Sequence, residues 1–393
     1  MTADAAEAIL GAVDRRQSEM LQLLEDVVAM ESPSTAHARQ RPVLERFATE
    51  FGRLGFTTRL VPGRNTGDHL LCRSPRPARR PFRQLVIGHV DTVWPIGTVE
   101  ERPPRSDGTT FSGPGAFDMK AGLVQLVAAL GTIDDLGWSM PAEPVVFVNS
   151  DEEIGSPDSR RWITPLARCA RRAYVLEGAF GLDGAIKVGR KGVGRYRVSA
   201  KGRAAHAGLD PESGASAILE LTHQIQTLFG LNDTEGGVTV NVGTIDGGLR
   251  PNVIAPEAGA EVDVRVYTAA QAAAVDRAIR GLTSVNPEVT IEVDGAFGRP
   301  PMERTEVTDR MARRAQDLAR GLGLELDVAV VGGASDGNLT SQHIPTLDGL
   351  GAVGDGAHRL DEHIVLSALP QRAALLAMLL MEPLPAPTEG PSP

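Results

Sequence analysis

The stretch VVFVNSDEEIGS, Val145 to Ser156, sets an apolar run almost directly before three consecutive acids, Asp151, Glu152 and Glu153. Adjacent carboxylates repel one another, so crowding them at the end of a buried strand calls for a compensating charge. Other apolar runs end the same way. LVIG (85–88) is followed by His89 and Asp91, and AYVL (173–176) by Glu177. Asp118 stands in GPGAFDMKAG, and His358 in GAVGDGAHRLDEH. Ligands of open α/β sheets bind beyond the carboxyl ends of the strands, so these residues can converge on one place. Imidazoles and carboxylates are hard nitrogen and oxygen ligands, suited to zinc, cobalt or manganese and unsuited to copper(I) or iron–sulfur. A divalent cation would neutralise the acids, and two cations would share a bridging carboxylate at about 3.5–4 Å.

Each residue also has a plainer reading. A histidine at a strand end is commonly a hydrogen-bonded structural residue, DEE alone a solvated turn, and Asp118 alone a helix cap. The set at successive strand ends, rather than any single member, points to a metal site.

The elements that must position these residues follow from periodicity. LVIG, VVFV, AYVL and VAVV (328–331) read as buried strands, and 5–30 and 42–54 as helices. DMKAGLVQLVAALGTI reads as a helix opened by Asp118. Strands alternating with helices predict an α/β domain around a mixed, mainly parallel sheet sandwiched by helices. From about Val188 to Pro301 the strands alternate polar and apolar, as in YRVSAKG and AEVDVRVYT, with helical segments near 212–230 and 269–285. This predicts a smaller inserted α+β domain. The expected boundaries are 1–187 and 302–382 for the α/β domain, 188–301 for the insert, and a disordered proline-rich tail over 383–393. The last helix is expected near 366–381.

The length of 393 residues fits two domains. The net charge of −10 argues against nucleic acid or an anionic membrane as partner. Cys72 and Cys169 form no metal-type or redox-type pair. The N-terminus has no signal-peptide pattern and no apolar run reads as long enough to span a bilayer, so a cytoplasmic location is expected. The basic run RSPRPARRPFR (73–83) reads as a solvated loop.

GHVDTVWP, GPGAFDMKAG, NSDEEIGS, VLEGA and GAHRLDEHI together resemble, in that order, the successive motifs of the M20 metallopeptidases, most of all their glutamate carboxypeptidase branch. The resemblance runs from about residue 20 to 380. It implies a zinc-exopeptidase-like catalytic domain with a ferredoxin-like lid and dimerisation domain. It implies two metal ions, zinc, cobalt or manganese, with His89 and Glu177 on one, Glu153 and His358 on the other, and Asp118 bridging, followed by a cis peptide bond to Met119. Asp91 matches the acid that orients the metal-ligating histidine, and Glu152 the general base. The implied reaction is hydrolysis of an amide bond by water that the metals activate.

SAKGRAAHAGLDPESG resembles the lid motif in which His206 reaches the active site of a partner subunit to bind the oxyanion; on the residues alone, His206 reads equally as the cap of a surface turn. In GGLRPNVIAPEAGAEVDVR, Asn252 and Arg265 match residues that hold the substrate carboxylate. Arg265 also reads as the partner of an acid on its own strand face. VGGASDGNL resembles the family's glycine-rich substrate loop, with Gly332, Gly333 and Ser335, although relatives often carry Thr where Ser335 stands. GLGAVG (349–354) satisfies GxGxxG, but too little chain follows for a dinucleotide fold.

The resemblance implies a homodimer through the lid and a small N-acyl amino acid or peptide substrate. Release of a C-terminal amino acid, with glutamate a candidate, is the first functional reading. An aminoacylase, a deacetylase or desuccinylase, or a dipeptidase is the second. A non-catalytic metal- or peptide-binding relative is the third, although no ligand and no base is missing.

Overall fold

The computed structural model describes residues 3–74 and 82–384. Most of the basic run and the tail from residue 385 therefore lie outside the described residues. In chain order, the strands used below are β1 (Thr57–Val61), β2 (His69–Arg73), β3 (Arg83–His89), β4 (Glu143–Asn149), β5 (Ala173–Val175), β6 (Gly192–Lys201), β7 (Thr239–Gly247), β8 (Glu257–Val266), β9 (Thr290–Arg299) and β10 (Thr346–Leu347). The helices are α1 (Ala3–Arg15), α2 (Gln17–Val28), α3 (His37–Arg53), α4 (Ala121–Asp135), α5 (Arg160–Arg168), α6 (Ala217–Phe229), α7 (Ala269–Arg280), α8 (Glu306–Gly321) and α9 (Ala368–Met381).

The chain divides into two compact units. The first comprises the described residues of Met1–Val188, Arg304–Val330 and Ser335–Pro393; the second comprises Gly189–Glu303 and Val331–Ala334. The first is built on a six-stranded sheet in the order β1-β2-β4-β3-β5-β10. β4, β3, β5 and β10 run parallel, and β2 and β1 add antiparallel pairs at one edge. β3 and β4 are buried along almost their whole length, as parallel strands covered on both faces must be. Alternate residues serve two cores. Val86, Val146 and Val148 pack with α1, α2, α3, α4 and α9. Leu85, Ile87, Val145 and Phe147 pack with Ile163 and Ala167 of α5.

Two glycines permit the close approach that the centre needs. A Cβ at Gly88 would come within 2.7 Å of Leu123, and one at Gly122 within 2.2 Å of the Leu176 carbonyl. A larger residue at Gly122 would meet backbone that cannot move aside, and one at Gly88 would displace the Leu123 side chain, so β3 and the end of β5 lie close against the start of α4.

The second unit is a four-stranded antiparallel sheet, β7-β8-β6-β9, packed on α6 and α7. β6 alternates buried and outward residues, and its inward Tyr196 and Val198 meet Val262 and Val264 of β8. Ser216 caps α6, and Thr268 with Gln271 forms a capping box at α7.

Three expectations are corrected. Asp118 does not cap the helix: α4 begins at Ala121, and Asp118 has extended φ −117°, ψ 91° in the turn before it. Among the described residues VAVV is no strand of the central sheet and pairs only with Ile186–Arg190, and Val330 is exposed. Ala116–Asp135 is, by length and composition, apolar enough to cross a membrane, but 94% of its apolar window is buried in the protein, as befits a central core helix.

Candidate metal centre

β3 delivers His89 to the carboxyl edge of the sheet, β4 leads into Glu152 and Glu153, and β5 into Glu177. A small sheet of short strands brings in the rest. Thr110–Ser112, which precedes the Asp118 turn, pairs with His363–Val365, which follows His358. The peptide bond between Asp118 and Met119 is cis.

The geometry centres on the Asp118 carboxylate. Its Oδ1 lies 3.2 Å from His89 Nε2, and its Oδ2 lies 3.4 Å from His358 Nε2. His89 Nε2 is also 3.7 Å from Glu177 Oε1, and His358 Nε2 is 2.9 Å from Glu153 Oε2. Ligand atoms of His89, Glu152 and Glu177 lie within 4.8 Å of one another, as do those of His89, Asp118 and Glu153. The structure thus brings together His89, Asp118, Glu152, Glu153, Glu177 and His358.

Asp91 is completely buried and does more than face one histidine. His89 Nδ1 lies 3.0 Å from its carbonyl oxygen and 3.4 Å from its carboxylate. That carboxylate also accepts the backbone N–H groups of Glu152 and Glu153, both at 3.1 Å, and the Ser34 hydroxyl at 2.8 Å. Burial opposes a charge on Asp91, yet His89, Ser34 and the Glu153 amide hold it below the ordinary carboxylate range. Asp151 turns away from the centre. Its Oδ2 accepts the N–H groups of Asp158 and Ser159 at 2.8 and 3.0 Å and so fixes the turn ahead of α5.

The electrostatics test whether cations fit. Burial pushes Glu153 up to about 8, even with His358 donating to it. Asp118 and Glu153 together pull His358 up to about 10. Burial disfavours a charged His89, but hydrogen bonds to Asp118 and Asp91 raise it well above its usual value. The site therefore gathers protons to offset its negative charge. Two imidazoles and four carboxylates around so small a volume are the hard donor set that divalent cations take in place of those protons.

Three supporting residues carry no sequence signal of their own: Ser34, Glu362 and Asp336. Glu362 is buried and fully engaged. Oε1 accepts the N–H groups of Phe117 and Asp118 at 2.9 and 3.0 Å; Oε2 accepts those of Gly115 and the Trp94 indole at 3.0 and 3.2 Å. Burial raises its carboxyl, yet four donors on two oxygens require it to act only as an acceptor. The buried Asp336 carboxylate accepts from the Asn149 amide and the Ser156 hydroxyl, one on each side of the DEE turn. Only its place in SDGN, inside a motif already singled out, could have drawn attention to it.

The remaining expected residues fall elsewhere. Ser335 is completely buried; its hydroxyl donates to Asp348 and accepts the Gly337 N–H at 2.9 Å, so its side chain supports its own loop. In the second unit, His206 is exposed and its Nδ1 accepts the N–H groups of Gly208 and Leu209 at 3.2 and 3.1 Å. Ala207 donates to the Asn252 carbonyl at 3.0 Å, which sets these two motifs side by side. Arg265 pairs with Asp263 through two hydrogen bonds of 2.8 and 3.1 Å. It is half-buried near the opposite end of β8, across from Val193. At that end the Arg190 guanidinium donates to the Gly333 carbonyl at 3.1 Å.

An α/β layer of this topology, with His–carboxylate pairs gathered around one aspartate, is the setting of a metal-dependent hydrolase. The chain belongs to peptidase family M20/M25/M40, whose model matches residues 85–382. It is 28% identical over 377 residues to carboxypeptidase G2 of Pseudomonas sp. (strain RS-16), covering 93% of this chain and 89% of that protein. It is 26% identical over 304 residues to succinyl-diaminopimelate desuccinylase of Gluconacetobacter diazotrophicus, covering 72% and 76%. The fold also matches the YXEP protein of Bacillus subtilis, described as a dinuclear metal binding peptidase of the M20 family. That match has a TM-score of 0.71 at 14% identity, covering 94% of this chain and 98% of that one.

Proposed function

We propose that the protein is a two-metal hydrolase that cleaves the amide bond of an N-acyl or peptidyl amino acid and releases the C-terminal residue, with glutamate a candidate. The observation that carries this reading is the Asp118 carboxylate, one oxygen toward His89 and the other toward His358, with Glu152 and Glu177 gathered around the same His89. His89 and Glu177 would hold one cation, Glu153 and His358 the other, and Asp118 both. When bound, such a pair supplies Lewis-acid polarisation of a carbonyl and lowers the pKa of water.

The chain's own residues do the rest. Glu152, with its backbone N–H fixed by Asp91, accepts a proton from the attacking water and returns it to the departing amine. Asp91 keeps the His89 ring turned so that Nε2 faces the centre. Arg265 is suited to the substrate's carboxylate, because a guanidinium matches two carboxylate oxygens at once, and Asn252, whose carbonyl accepts the Ala207 N–H beside His206, would assist from a partner copy.

His206 and Arg265 cannot readily serve one site from one copy. They belong to opposite ends of β8, whose eight steps from Glu257 to Arg265 span about 26 Å at ~3.3 Å each. This supports a homodimer in which His206 completes the partner's site. The likeness to a desuccinylase favours one second reading, release of an acyl group from an amine, by the same chemistry.

The deciding experiment is a panel of N-acyl amino acids, dipeptides and folate-type conjugates, assayed with zinc, cobalt or manganese. Hydrolysis that requires a free carboxylate next to the scissile amide is expected. Absence of turnover on every substrate with metal bound would contradict the proposal.

A further inference from the structure

The centre is built of acids and imidazoles, but the loops that leave it also expose large apolar side chains. Among the described residues of the first unit, six exposed large apolar side chains are Val93, Ile96, Ile154, Phe180, Leu182 and Leu360. Val330 is the one other. All six follow His89, Glu153, Glu177 or His358 within seven residues. Folded proteins leave isolated apolar side chains in water without consequence. What needs a cause is that six such side chains all stand on the segments that directly follow the residues of the centre.

Chain connectivity sets how near they are. At no more than ~3.6 Å per residue, Ile154 lies within about 4 Å of Glu153, Leu360 within about 7 Å of His358 and Phe180 within about 11 Å of Glu177, measured between Cα atoms. Their loops are ordered by the fold. Phe180 and Ala185 exchange two backbone hydrogen bonds of 2.9 and 3.0 Å around a tight turn that carries Leu182. Ala179 donates to the Ala352 carbonyl at 2.8 Å. These bonds fix the turn on which Phe180 and Leu182 are 54% and 63% exposed, and Leu360, on the segment after His358, is 70% exposed. Arg359, beside Leu360, is already paired with Asp361 and Asp355 and offers no free charge to an anionic acyl group.

We infer that this rim is the subsite for an apolar acyl group, so that the preferred substrates are amino acids N-acylated with a medium-length aliphatic or aromatic chain. The inference rests on the hydrolase reading above, and it assigns the acyl side of the bond, as Asn252 and Arg265 concern the carboxylate side. An apolar chain lying on the rim removes its own surface and that of Phe180, Leu182 and Leu360 from water, and each added methylene increases the area removed.

The test is kcat/KM of the metal-loaded full chain on one amino acid carrying acetyl, butyryl, hexanoyl or octanoyl groups. The value rises about two- to fourfold per added methylene. In the double variant Phe180→Ser, Leu182→Ser the octanoyl-to-acetyl ratio falls at least about tenfold. A flat wild-type series, or a ratio unchanged in the variant, overturns the assignment. So does conversion of a dimer to a monomer by the variant with the ratio intact, which would make the rim a contact between copies. Failure to hydrolyse even the acetyl compound would overturn the hydrolase reading itself, a result distinct from turnover without chain-length dependence.

Discussion

Asp118 shows what a single residue contributes. Its two oxygens are turned to different histidines, its amide is held by Glu362, and its backbone is extended where a helix cap would stand. His89, the DEE acids and Glu177 were legible because each follows an apolar run, and Asp118 and His358 only through their coincidence with that set. Glu362 was not legible, because it acts through backbone N–H groups that any residue supplies. Asp151 was legible as an acid but not as to its purpose; it holds a turn. The protonation of Glu153 and His358 leads to a prediction at this scale. With these groups raised to about 8 and about 10, a cation binding near pH 7 must displace their protons. Metal affinity therefore falls as pH falls, by at least about tenfold per unit between pH 8 and pH 6. Competition with a chelator across this range measures it, and a pH-independent affinity would contradict the assignment.

At the scale of elements, the centre is a set of loops tied down from behind. Asp91 holds the apex of the DEE turn, Asp336 holds both its flanks, and Glu362 ties the Asp118 turn to the Trp94 loop and to the segment after His358. Glu362→Gln sets an amide NH2 against two buried donors while keeping size and shape. We expect metal affinity to fall about 10- to 100-fold with the fold retained, read by equilibrium dialysis beside circular dichroism. Unchanged affinity would show that the Asp118 turn needs no such tie. The strands nearest the site, β3 and β4, were readable because burial on both faces makes them uniformly apolar. β1 and β2 were not, since one lies at the edge with alternating exposure and the other buries a histidine. VAVV misled for the opposite reason, as an apolar run that joins a two-stranded ribbon.

At the scale of the molecule, the mixed sheet between helices and the separate antiparallel unit were both readable from the change in hydrophobic period near Val188. A dimer cannot be read from period alone, because an open sheet edge looks the same whether or not a second copy covers it. In the second unit β7 is an edge strand, and Ile218, Ile245 and Leu249 nearby are exposed. Such an edge invites pairing. Ile245→Glu with Leu249→Glu is expected to yield monomers by light scattering, with kcat at least about tenfold lower because His206 no longer reaches a partner's site. A fully active monomer would rule out that role for His206.

The central claim is that Glu152 moves protons beside a metal centre that its neighbour Glu153 helps to form. Metal content and kcat of Glu152→Gln, measured on the same preparation against wild type, test it most directly. The account predicts the wild-type complement of two ions per chain and a kcat lower by about 10²- to 10⁴-fold. Two bound ions with near-wild-type kcat would contradict it.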